Sequence, residues 1–128
     1  MSDFTALRRT MVDCQVRPSD VTDLRIIDAM LAVPRERFVP ESKRAIAYLD
    51  MDIDVAAAGQ AKRCLIQPAV LAKMLQAAAI SETDRVLVVG CATGYSAAVV
   101  SHLAAEVFAT EPDSALASSA TSTLAALG

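Results

Sequence analysis

Tryptophan is absent from these 128 residues, which hold only two tyrosines, three phenylalanines, four glycines and one histidine. No apolar run approaches the roughly 18 residues needed to span a bilayer, so no membrane association is expected. No apolar stretch follows the arginines of the N-terminal MSDFTALRRT, so a secretory leader is not expected and the compartment is read as cytoplasmic. Cys14, Cys64 and Cys91 lie far apart without a C-x-x-C pair, and His102 stands alone. Neither a disulfide framework nor a metal site is expected. An excess of positive charge is missing too: 12 basic residues face 15 acidic ones, for a net charge of −3. That balance offers no attraction to nucleic acid or to an anionic membrane surface.

What is present is apolar. The chain is 54% hydrophobic and 21% charged, which excludes a disordered polypeptide. Its length suits one domain, with two regions of different character. Region 1–66 carries most of the charge, and Pro18, Pro34 and Pro40 divide it into short helices. Phe4, Leu7, Met11 and Cys14 recur at helical spacing and predict a first helix with that face inward. Ser19 or Asp20 is expected to cap a second helix that turns Leu24, Ile27 and Leu31 inward and stops at Pro34. A third short helix is expected from Glu41 to Tyr48. These helices are read as lying on a surface, and the Arg8-Arg9 and Arg35/Arg37 clusters as solvated faces.

Region 67–128 reads differently. Pro68 suits the first position of a helix, and Val70, Leu71, Met74, Leu75 and Ala78 form its apolar stripe. Val86 to Val89 is apolar without alternation, the pattern of a strand buried on both faces of a parallel sheet. A helix to about Leu103, a strand from Val107 to Thr110 and a last helix from Asp113 or Ser114 complete the order strand–helix–strand–helix. The fold class is α/β: the start of a doubly wound, Rossmann-like sheet preceded by a helical region.

The chemistry concentrates in VLVVGCATGYSAAVV. Gly90 ends the buried strand, where the backbone must turn tightly and admit a ligand. Gly94 lets the next helix start near the strand, with its free N–H groups facing the crevice. Glu111 closes the neighbouring strand about 20 residues on, placed to accept both hydroxyls of a ribose. A dinucleotide fingerprint would need glycines at Ala92 and Tyr95. The observed G-x-A-x-G instead resembles the glycine loop of class I methyltransferases. A plain strand-to-helix turn is the alternative for the two glycines alone.

The wider series of motifs resembles the protein-L-isoaspartate O-methyltransferase family. It comprises MVDCQVRP, a V-P-R-x-x-F-V-P element at Val33 to Pro40, an A-Y-x-D element at Ala47 to Asp50, Gly59-Gln60, Gln67-Pro68, the glycine loop and TEPD. The resemblance implies the class I fold, S-adenosylmethionine as cofactor, and methyl transfer to isoaspartyl carboxylates of damaged proteins. By that resemblance Gly90, Cys91, Ala92, Thr93 and Gly94 would line the methionine and ribose side of the cofactor. Glu111 would hold the ribose hydroxyls, with Pro112 and Asp113 beside the adenine. Gly59, Gln60, Cys64, Ile66 and Gln67 would form the substrate loop. Region 1–66 is then the helical and substrate-loop region, and 67–128 the first β-α-β-α part of the cofactor-binding domain.

Three departures accompany the likeness. The family's loop reads G-Q-T-I-S-Q-P; anchored on Gln67-Pro68, its serine falls on Ile66 and its threonine on Cys64. Isoleucine cannot donate a hydrogen bond, and losing a positioned donor costs about 10²–10³ in rate by analogy with oxyanion donors. No catalytic residue is therefore assigned. A catalytically inactive cofactor- or partner-binding relative is the alternative, and the glycine spacing disfavours a nicotinamide-binding fragment. Second, the acid usual two positions before the first glycine is Val88, and the middle glycine is Ala92. Third, two strands alone would leave apolar faces and both sheet edges open. The expectation is a fragment of a longer protein, with self-association through the exposed sheet edge as the other way to cover it.

Overall fold

The computed structural model describes residues 3–127. Asp3 caps the first helix, α1 (Phe4–Met11), its side chain accepting from the Ala6 N–H at 3.1 Å. The chain continues as a widened π turn over Val12–Val16 and then a tight 3-10 turn over Arg17–Ser19. Widening the turn adds a residue to it and rotates the buried face. Val12 and Val16 are therefore buried beside Met11, with Phe4 packed against them, and Cys14, expected inward, faces solvent; Leu7, also expected inward, is exposed within the regular turns of α1.

The second helix, α2 (Leu24–Ala32), is capped by Asp23 through the Arg25 N–H at 2.9 Å, not by Ser19 or Asp20. Gln76 holds the turn before it, accepting from the N–H groups of Thr22 and Asp23 and donating to the Asp20 carbonyl. A helix that begins at Leu24 leaves that residue 66% exposed and points Ile26, Ile27, Ala29 and Met30 inward. Val33 is extended, as the residue before a proline must be. Two 3-10 turns follow, Arg35–Phe38 and Glu41–Ile46.

These short helices build the core rather than covering it. Met11, Val16, Ile26, Met30 and Phe38 are each at most 1% exposed and join Tyr95 and Val99 in one buried cluster. Two of the arginines expected in solvent are inside. Arg8 binds the Glu36 carboxylate at 3.2 Å and the Tyr48 hydroxyl at 2.9 Å, and that hydroxyl donates to Glu36. Arg35 is fully buried; its Nε donates to the Ala47 carbonyl at 2.8 Å and an Nη to that of Ile66 at 3.2 Å. Its guanidinium also lies 4.7 Å from the Tyr95 ring centroid. Burial pushes the Arg35 pKa down and those of Tyr48 and Tyr95 up. Arg9 and Arg37 stay exposed.

A two-residue antiparallel pair, β1 (Ile53–Asp54) and β2 (Cys64–Leu65), leads into α3 (Pro68–Ala78), which starts on Pro68 as expected. In α3, Ala69, Leu71 and Ala72 are buried, while Val70 and Met74 of the expected stripe are 43% and 58% exposed. The parallel strands β3 (Arg85–Val89) and β4 (Glu106–Thr110) are joined by α4 (Tyr95–Ser101), and α5 (Ser114–Leu127) follows. Val86, Val88 and Val107 pack on the core. Leu87, Val89 and Phe108, on the other face, are 60%, 76% and 50% exposed. The double-sided burial expected of β3 is thus not met: among the described residues the parallel sheet holds β3 and β4 alone, so nothing covers the second face. Among the described residues no helix is long and apolar enough to cross a membrane.

The register of α2 is directly testable. Met30→Ala should cost about 2–5 kcal/mol of stability, as truncation of a fully buried side chain does. Leu24→Ala should stay within about 0.5 kcal/mol. Urea unfolding followed by circular dichroism measures both, and equal losses would contradict the observed face.

Candidate functional site

In the parallel pair, Val89 lies opposite Thr110, so the chain leaves the sheet side by side at Gly90 and Glu111. Gly90 turns with φ 68°, and the Cys91 N–H reaches the Thr110 carbonyl at 3.0 Å. Ala92 is also left-handed, with φ 53°, a conformation that costs a non-glycine residue about 1–2 kcal/mol. It stands where the resemblance expects glycine. Gly94 has φ 98°, and a Cβ there would lie 3.2 Å from Leu124 Cδ1 and 3.3 Å from Ala120 Cβ. Its smallness therefore also serves packing against α5. Thr93 is buried, and its hydroxyl donates to the Phe38 carbonyl at 2.6 Å, tying the loop to the N-terminal region.

Glu111 organises this loop. Its side chain is 1% exposed. One carboxylate oxygen accepts from the Ala92 N–H at 2.8 Å, the other from the Asp113 N–H at 2.9 Å. Arg63 approaches from the segment between β1 and β2, one Nη binding Oε2 at 2.7 Å and the other binding Oε1. The Arg63 guanidinium, helped by the two backbone N–H groups, holds the Glu111 pKa at about 2. Pro112 is exposed beside it, and Asp113 caps α5 through the N–H groups of Ala115 and Leu116. Burial, then the Glu111 charge, pushes the Cys91 thiol up, which removes the thiolate character a reactive cysteine would need.

The expected substrate-loop residues divide between two spaces. Cys64 and Ile66 border a largely apolar cavity of about 400 Å³ between α3 and β3, together with Gly90, Cys91, Ala92 and Tyr95. Gly59 and Gln60 border a wider cleft of about 950 Å³, together with Thr93 and Asp113. Gln67 borders neither; its N–H binds Asp52 at 2.6 Å and its side-chain amide binds Asp50. The Ile66 carbonyl is held from behind by Arg35.

Sequence reasoning missed Arg63, Arg35 and Tyr95. No local pattern marks Arg63, because its partner lies 48 residues away. Tyr95 read only as a missing glycine of the dinucleotide fingerprint, although it is fully buried against Arg35 and Phe38.

The family model described as protein-L-isoaspartate(D-aspartate) O-methyltransferase matches residues 8–128. A protein-L-isoaspartate O-methyltransferase 2 from Anaeromyxobacter sp. (strain Fw109-5) is 45% identical over 121 residues, 94% of this chain and 48% of the relative. A protein-L-isoaspartate O-methyltransferase from Roseiflexus sp. (strain RS-1) is 42% identical over 126 residues, 98% of this chain and 56% of the relative. The chain thus spans about half the length of the curated relatives it matches. A solved protein-L-isoaspartate O-methyltransferase superposes with a TM-score of 0.82 at 26% identity, covering 94% of this chain and 39% of that one. A Plasmodium falciparum structure of the same description, in complex with S-adenosyl-L-homocysteine, superposes with a TM-score of 0.70 at 16% identity, covering 97% and 56%. With nearly all of its length matched, and with the glycine loop and Glu111 side by side at the strand ends, this chain belongs to the protein-L-isoaspartate(D-aspartate) O-methyltransferase family.

Proposed function

We propose that this chain carries the cofactor crevice of an S-adenosylmethionine-dependent methyltransferase that methylates isoaspartyl carboxylates in proteins. The observation that carries this reading is the place of the Glu111 carboxylate, buried and ionised at the carboxyl end of β4 beside the Gly90 turn. Ligands of parallel α/β sheets bind outside the carboxyl ends of the strands, and an acid at that position accepts a ribose diol. The residues present fit such a group. They offer a carboxylate with two backbone partners and two further positions that the Arg63 side chain holds, a left-handed glycine with no neighbour but Arg63 near its Cβ position, and an adjoining apolar cavity.

When bound, S-adenosylmethionine supplies a methyl group already activated on a cationic sulfonium. Glu111 would orient the ribose, and the backbone from Gly90 to Ala92 would allow close approach. Ile66, Cys91 and Tyr95 would keep water out of the adjoining space. The methyl acceptor is itself a carboxylate, so this chain need not supply a general base, and alignment provides the rate. The names of the relatives support this acceptor, and the ligand of the Plasmodium falciparum structure supports this cofactor.

Calorimetry on the full natural polypeptide should detect binding of S-adenosylhomocysteine and none of NAD. Glu111→Gln should weaken that binding about 10- to 100-fold, since charge-assisted hydrogen bonds are lost. Binding of NAD alone would overturn the assignment. Radiolabelled methyl transfer to an isoaspartyl peptide then tests turnover; binding without transfer would mark a cofactor-binding protein that is not an enzyme. Ile66→Ser should raise that transfer by up to about 10², the worth of one positioned donor. An unchanged rate would show that position 66 is not where the donor is missing.

A further inference from the structure

An ionised carboxylate has about four acceptor positions. At Glu111 all four are filled: two by the backbone N–H groups of Ala92 and Asp113, two by the guanidinium of Arg63. The backbone pair belongs to the loop itself and holds it in shape. The other two are the positions a ribose diol would take. Arg63 also lies over the turn, with one Nη 3.7 Å from the point where a Cβ on Gly90 would sit.

We propose that Arg63 is an autoinhibitory latch on the cofactor crevice, competing with the ribose diol for the same two acceptor positions of Glu111. The inference rests on the cofactor reading above. The latch is a side-chain device, because the Arg63 backbone is fixed: its carbonyl accepts from Val55 N–H at 2.7 Å and its N–H binds the Asp54 carboxylate at 3.3 Å. Asp54 in turn accepts from the Ala56 N–H, and its carbonyl accepts from Lys43. Residues 57–62, next to it, are exposed, and the Arg63 side chain is 31% exposed, so the guanidinium has an open route outward. Glu111 has none. Cofactor entry then selects the minority of molecules with Arg63 released, and the apparent affinity is the intrinsic affinity multiplied by the fraction released.

The test compares the full natural polypeptide with its Arg63→Met and Arg63→Ala variants, the methionine keeping an unbranched apolar stem. Adenosine, 2′,3′-dideoxyadenosine and S-adenosylhomocysteine are titrated by calorimetry, with thermal melts to establish that each variant is folded. The latch predicts that both variants bind adenosine and S-adenosylhomocysteine about tenfold more tightly, corresponding to a latch closed in about nine molecules of ten. Dideoxyadenosine, which has no diol to offer Glu111, should show no such gain. Unchanged or weaker S-adenosylhomocysteine binding in folded variants overturns the latch while leaving the cofactor reading intact. An equal gain for dideoxyadenosine overturns it too, because relief would then be steric. Failure of all three proteins to bind S-adenosylhomocysteine overturns the cofactor reading and the latch with it.

Discussion

The Glu111 carboxylate is where three stretches of chain far apart in sequence meet. The loop after β3 reaches it through the Ala92 N–H, the turn into α5 through the Asp113 N–H, and the segment before β2 through Arg63. A buried carboxylate is costly unless its lone pairs are satisfied by charge or by oriented dipoles. Here both kinds of partner are present, which keeps the group ionised. The left-handed turn at Ala92 is held in place by the same contact, so the shape of the loop and the charge of the crevice have a common origin. Substituting this acid would disturb geometry and electrostatics together.

A second polar anchor lies deeper. Arg35 is enclosed with no carboxylate partner among the described residues, held by two carbonyl oxygens and the face of Tyr95. One of those carbonyls belongs to Ile66, at the wall of the cavity beside the glycine loop. Thr93 makes the complementary tie, from the loop back to Phe38 at the end of the turn that begins with Arg35. The N-terminal helices are therefore more than a cover for the strands. Together with the turns between them they supply about half of the buried hydrophobic cluster, and they hold the cavity through the carbonyl oxygens of Ile66 and Phe38.

How legible the fold was depends on the range of the signal. Pro68 at a helix start, the apolar run of β3 and the glycine turn were readable because each reports local backbone geometry. Cys14 departs from its expected inward place because a π turn at Val12 shifts the period, and no residue type announces that shift. Leu24 was misread because Gln76, on another helix, decides where the turn before it closes. Arg8 and Arg35 looked solvated because a charge run says nothing about a carboxylate or a ring waiting elsewhere in the chain. Within the site, the glycine loop and Glu111 were found together, while Arg63 was not singled out.

The residues alone carry the order helix–strand–helix–strand–helix from Pro68 onward and the adjacency of Gly90 and Glu111, but not the short antiparallel pair before it. Two parallel strands joined by one helix bring the ends of both strands to the same side, whatever packs around them. What that carboxylate touches, which face of α2 is buried, and that Thr93 points to Phe38 rather than to the crevice emerge in three dimensions alone. Those outcomes depend on side chains that meet across long stretches of chain, and hydrogen bonding and burial select such partners by position in space, not by spacing along the backbone.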